Sequence, residues 1–140
     1  MKETVLELCD FIESSVYASR LSSVGSYRTF KLAVYGSSAV RGLVEEMNRD
    51  SYERGFVLGA IFGRCLNIEE HLTKNPGDTN LDAVLATYYL IFMSMGLKEV
   101  AKSHYKKVAG NVNGFTRTRD IINEIGELDV IEKMLTLLVE

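Results

Sequence analysis

Tryptophan is absent from this 140-residue chain, and proline occurs once, at Pro76. So few forced breaks suit long helices, because proline is the residue that helix interiors tolerate least. Cysteine is scarce as well. Cys9 and Cys65 stand far apart with no Cys-x-x-Cys pair, which argues against a disulfide framework and reads as two buried thiols in a reducing cytoplasm. His71 and His104 are the only histidines. Neither has a glutamate three positions before it, so a carboxylate-bridged metal bundle finds no motif, and no zinc set can be grouped. No Gly-x-Ser-x-Gly nucleophile motif occurs. The formal net charge is only -3, which gives no global attraction to nucleic acid or to anionic membranes.

Long apolar runs are also missing. The longest, Ala83 to Leu97, covers 15 residues. As a helix it is about 22 Å long, short of the roughly 30 Å hydrocarbon core of a bilayer. It reads as a buried core helix, with no membrane partner. The start MKETVLELCD carries acids at positions 3, 7 and 10, unlike the basic and then apolar start of a secretory signal. The expected location is the cytoplasm. What is present is ordinary globular material: 46% apolar and 25% charged residues, enough for one packed domain over residues 1–140 and too apolar for disorder.

From Glu3 to about Leu21, Val5, Leu8, Ile12, Val16 and Tyr17 follow three- and four-residue steps, with acids on the other face, as in an amphipathic helix. Ser22 to Ser26 is a turn. Residues 29–35 are ambiguous: Phe30, Leu32 and Val34 alternate like a strand, yet Phe30, Ala33, Val34, Ala39, Val40, Leu43, Val44 and Met47 fit one helical face. Helix is favoured, interrupted near Gly36. Asp50 and Glu53 resemble a capping box for a helix running to about Thr73. Lys74 to Asp78 is a loop, and Thr79 can cap the next helix. Gly96 kinks or splits that helix before an amphipathic continuation to Val108. After a loop at Ala109 to Gly114, Thr118 starts a helix that Gly126 ends or kinks, and Asp129 with Glu132 forms a second capping box. Ile121, Ile125, Leu128, Ile131, Leu135 and Leu138 make an apolar seam for a partner helix. The fold class is all-α: a single-domain bundle of five or six helices with two central, strongly apolar ones, about Ser51 to Thr73 and Leu81 to Met95.

Gly55, Gly59 and Gly63 advance by four within the first of these central helices. Each costs roughly 1 kcal/mol relative to alanine in a helix interior, so the row implies close approach of another segment. The expected segment is the helix carrying Tyr88, Phe92 and Met95, with a twofold self-contact as the alternative. On the first reading Gly59→Leu disrupts the fold by overpacking. If that variant instead stays a folded monomer, the groove belongs to a subunit interface.

Residues 31–42, KLAVYGSSAVRG, mimic a phosphate-binding loop, but five residues separate Gly36 from Gly42, and Leu43 and Val44 stand where lysine and a hydroxyl are required. Nucleotide binding is set aside. Arg64 and His71 lie on one helix, seven residues apart. The pair resembles the Arg-x4-6-His motif of HEPN-type helical ribonucleases, although Cys65 follows the arginine where that family commonly has a polar residue. The resemblance implies that Arg64 and His71 polarise a scissile phosphate and assist 2′-hydroxyl attack across a dimer. Charge is also split along the chain. Lys98, Lys102, Lys106, Lys107, Arg117 and Arg119 against Glu99 give residues 98–119 a local +5, and six acids against Lys133 give residues 120–140 a local -5. The basic segment is either a single-strand or RNA surface or a solvated face paired with the acidic tail. The leading expectation is a non-enzymatic assembly module that associates with itself or with another protein and uses no cofactor. Nucleic-acid binding and helical ribonuclease activity are the alternatives.

Overall fold

The computed structural model describes residues 2–23, 25–49, 51–75, 77–108 and 116–139, with all their side chains except those of residues 2–5, 22, 51–53, 98, 104, 105, 107, 108, 128, 129, 131 and 132. These residues form α1 (Lys2–Ala18), a 3-10 turn (Leu21–Ser23), α2 (Tyr27–Gly36), α3 (Ser38–Met47), α4 (Ser51–Lys74), α5 (Thr79–Ser94), α6 (Lys98–Val108) and α7 (Thr116–Val139). No strand occurs among them, so the all-helical reading holds and the ambiguous stretch is helical. The count exceeds five or six because two expected helices are split.

Local chemistry explains each division. Ser26 caps α2 by accepting from the Thr29 amide, and Ser37 is extended (φ -69°, ψ 131°), which separates α2 from α3. At the end of α5, Gly96 takes φ +68°. The Leu97 amide donates to the Phe92 carbonyl at 3.0 Å and the Gly96 amide to that of Met93 at 3.1 Å. This is a left-handed glycine stop that favours a residue without Cβ. Gly96 therefore ends α5 and does not merely kink it. Asp78, not Thr79, caps α5, accepting from the Leu81 amide at 3.1 Å. Gly126 neither ends nor splits α7, which is one helix from Thr116 to Val139. The expected box at Asp50 and Glu53 and the loop at residues 109–114 lie outside the described residues and side chains, as do the side chains of Asp129 and Glu132.

One helix is central, not two. Every residue of α5 from Asp82 to Phe92 is buried, and α1, α2, α4, α6 and α7 all pack on it. α4 is only one-sided. It buries Val57, Ile61, Cys65, Ile68 and Leu72, while Gly55, Phe56, Gly59 and Gly63 are exposed. The glycines sit two residues off the buried row, and two residues at 100° each turn to the opposite side of a helix.

Total burial obliges the polar atoms of α5 to find partners on its neighbours. Thr87 Oγ1 donates back to the Ala83 carbonyl at 2.8 Å. Tyr88 donates to Glu13 of α1 at 3.0 Å, and Tyr89 to Glu69 of α4 at 3.4 Å. Burial, with those carboxylates beside them, pushes both phenols well above the ordinary tyrosine range. Asp82 reaches the start of α7, accepting from the Arg117 amide at 2.8 Å and the Thr118 amide at 3.1 Å. A carboxylate on the first amides of a helix satisfies otherwise orphan donors and complements the helix dipole. From α2, Tyr27 donates to Glu124 of α7 at 2.6 Å, and Lys31 pairs with the same carboxylate. Burial works against ionisation of Glu124, but the Lys31 and Tyr27 bonds outweigh it and hold its carboxyl below the ordinary glutamate range.

Two outcomes follow from these bonds. Asp82→Ala strands two amides and should cost about 2–3 kcal/mol, read from urea denaturation. Glu124 has a lowered folded-state pKa, so its stabilising effect is complete above the ordinary value of 4.5 and is lost as pH falls through the lower folded value. Glu124→Gln should therefore be less stable than wild type at neutral pH by on the order of 1 kcal/mol. The gap should close in melts taken progressively below that ordinary value.

Candidate interaction surface

Arg64 is bound into the fold. Its guanidinium pairs with Asp10 at 2.7 Å and also contacts Glu13, both on α1. Burial opposes the charge, but the Asp10 hydrogen bond and the Glu13 carboxylate hold the guanidinium pKa above its ordinary value. Glu13 is also the acceptor for Tyr88, so one carboxylate ties α1 to both α4 and α5. His71 lies exposed seven residues farther along α4, about 10 Å down the axis, with Nε2 3.7 Å from Asp78 Oδ2. The structure does not bring the two residues together around a shared cleft.

Burial pushes the Cys9 thiol up, with Arg64 and Tyr88 partly opposing it, and pushes Cys65 up further. Neither resembles an activated thiolate, which needs a depressed pKa. No group of three or more His, Cys, Asp or Glu among the described residues could hold a metal ion, and no helix is long and apolar enough to cross a membrane.

The basic segment does not form one free face. Lys106 and Arg119 are exposed, while Lys102 is partly buried and engaged. Arg117 is mostly buried, 5.6 Å over the Phe30 ring and 4.0 Å from Asp120. The side chains of Lys98 and Lys107 lie outside the described set. Glu124, counted with the acidic tail, is taken by Tyr27 and Lys31 of α2, a partnership that no local charge pattern indicated.

Among the described residues, two clusters of exposed apolar surface stand out. The first is a groove beside α4, about 470 Å³ in volume and lined by Leu6, Gly55, Phe56, Gly59 and Ala60. A Cβ built on Gly55, Gly59 or Gly63 would meet nothing within 4 Å. This corrects the expected packing of the glycine row against Tyr88, Phe92 and Met95; Tyr88 is buried with its hydroxyl donating to Glu13 of α1.

The second surface is the end of α7. Ile121 and Ile125 of the expected seam are buried, but Leu135 and Leu138 are 56% and 80% exposed, and the side chains of Leu128 and Ile131 are not described. Turning 100° per residue, the buried set Thr118, Ile121, Ile122 and Ile125 shares one face. The exposed set Val130, Met134, Leu135, Leu137, Leu138 and Val139 centres roughly 170° away. Lys133 and Thr136 take the register that faced the bundle. Every residue from Lys133 to Val139 is exposed, Thr136 included, so this end of the helix stands clear of the bundle and carries a second apolar set. The signal was in the sequence, since Val130, Met134 and Leu137 sit one position off the seam, but a single seam read through Ile121 to Leu138 concealed it.

No protein-family model, curated protein or solved structure matches the chain.

Because nothing covers Gly59 within the chain, Gly59→Ala should stabilise the fold, by up to about 1 kcal/mol through helix propensity alone. Urea denaturation of the variant at low protein concentration checks this.

Proposed function

We propose that the protein is a non-enzymatic helical assembly module that associates with itself through the C-terminal half of α7. One observation carries the reading: six large apolar side chains, Val130, Met134, Leu135, Leu137, Leu138 and Val139, stand exposed in succession on that half. The overhang from Gly126 to Val139 is 14 residues of helix beyond Ile125, the last residue described as buried. A helix of that length is marginal in water without packing. Its apolar side chains stand exposed in the folded chain, so folding alone does not cover them, and an exposed patch of this kind marks an interaction site.

The magnitudes suit association. Burying a Val, Leu or Met side chain contributes about 1.5–3 kcal/mol, and six together give on the order of 10 kcal/mol. That is comparable with the roughly 4–15 kcal/mol lost on association. One docked overhang is therefore marginal, whereas two in a closed pair are favourable. Homo-oligomers with closed twofold symmetry are the commonest solution to that arithmetic. The polar contacts support the same reading by committing Arg64 and Glu13 to the fold.

Light scattering on the full chain at tens of micromolar tests this. A multimer is expected, and Leu135→Glu with Leu138→Glu should convert it to monomer while far-UV circular dichroism stays helical. A monomeric wild type at that concentration would remove the reading.

A further inference from the structure

We propose that the pocket where α1, α2, α3 and α5 meet binds a small uncharged alcohol, an apolar body carrying a hydroxyl group. The inference goes beyond the assembly reading and does not depend on it, because the pocket lies within one chain and takes no residue from α7. Its grounds are the space, the hydroxyls that line it and the absence of charge.

The pocket has a volume of about 300 Å³. Small residues converge on it: Ser15 and Ser19 from the end of α1, and Ala33, Gly36, Ser37 and Ser38 from the junction of α2 and α3. A close-packed interior leaves few voids larger than one water molecule. This one has room for about ten, at roughly 30 Å³ each, which puts it at the small end of the range for ligand sites. Floor and rim differ in character. Ile12, Val16, Val34 and Val40 are buried, while Ser19, Gly36 and Ser38 are exposed. On α1, Ile12, Ser15 and Val16 stand at i, i+3 and i+4, so one helical face presents aliphatic carbon and a hydroxyl together.

The polar inventory selects the head group. Thr87 lines the pocket at 1% exposure and donates its one hydroxyl proton to the Ala83 carbonyl at 2.8 Å. Toward a ligand it can therefore only accept. Ser37 begins α3 without a side-chain bond to that helix's amides, and serine hydroxyls both donate and accept. A ligand hydroxyl, which gives one hydrogen bond and takes others, matches that set. Charge narrows the choice further, since none of the lining residues is ionisable at neutral pH. A carboxylate, phosphate or ammonium would lose its hydration there with no counter-charge to replace it. The same lack separates residues 31–42 from a phosphate-binding loop, which needs a lysine. The turn at Gly36 to Ser38 serves instead as part of the pocket's wall.

Methyl-detected NMR of the full chain, titrated with cyclohexylmethanol, tests this. Saturable shifts are expected at the methyls of Ile12, Val16, Val34, Val40 and Thr87, with those of the α7 end unmoved. Cyclohexanecarboxylate and cyclohexylmethylammonium share the body and differ in the charge of the head. They should bind at least about 10-fold more weakly, the scale of an uncompensated charge. Thr87→Val combined with Ser15→Ala should weaken cyclohexylmethanol about 5- to 10-fold, the worth of one or two hydrogen bonds. Ser15→Leu should fill the space and abolish the shifts. Ala33→Leu, at an exposed position of the rim, gives a second block should the first variant fail to fold. No saturable shift in wild type overturns the proposal. Equal binding of either charged probe overturns the uncharged class, and unchanged affinity without the two hydroxyls overturns their role. Wild-type binding in both blocking variants places the alcohol elsewhere and overturns the site. Self-association, read separately by light scattering, should be the same in the blocking variants as in wild type, so failure of this site and failure of the assembly reading are distinguishable.

Discussion

Burying α5 on every side is the constraint from which the remaining arrangement follows. A helix sealed from Asp82 to Phe92 cannot leave its carboxylate and phenols in water, and each must meet a partner on a neighbouring helix. Asp82 thereby holds the start of α7, Tyr88 holds α1 through Glu13, and Tyr89 holds α4 through Glu69. Apolar contact makes the bundle compact, but these bonds set which turn of each helix stands beside which turn of α5. Arg64 extends the same network outward by joining α4 to Asp10 and Glu13. A residue that looked like half of a catalytic pair is a brace between two helices.

The helices themselves were largely legible from the chain. Their apolar periods, the near absence of proline and the turn at Gly96 carry most of that information. The partners of polar groups were not legible, because Asp82 and Arg117, or Tyr27 and Glu124, meet across long stretches of chain and no local pattern records it. The glycine row is the instructive miss. Spacing established that Gly55, Gly59 and Gly63 share a face, but apolar residues on both sides of the row made the whole helix look buried. The face is decided by the row of Val57, Ile61 and Cys65, whose β-branched and thiol side chains fill the core.

The exposed surfaces divide the molecule by role. The buried network, the paired Arg64 and the buried thiols hold the fold together. The overhang and the groove, by contrast, contribute little to holding the chain in its own shape. The helix glycines there lower stability without any compensating contact inside the chain. An apolar stripe facing solvent has the same logic.

Because α7 is one unbroken helix gripped near its start, it also behaves as a lever. From Ile125, the last residue described as buried, to Val139 the arm is about 21 Å long at 1.5 Å per residue. A tilt of about 5° at the grip would therefore swing the tip by roughly 2 Å. Small adjustments in the packing of α5 become large displacements at the far end. The packing of Ile121, Ile122 and Ile125, with the Asp82 and Glu124 bonds, thus governs how accurately the distant apolar tip is aimed.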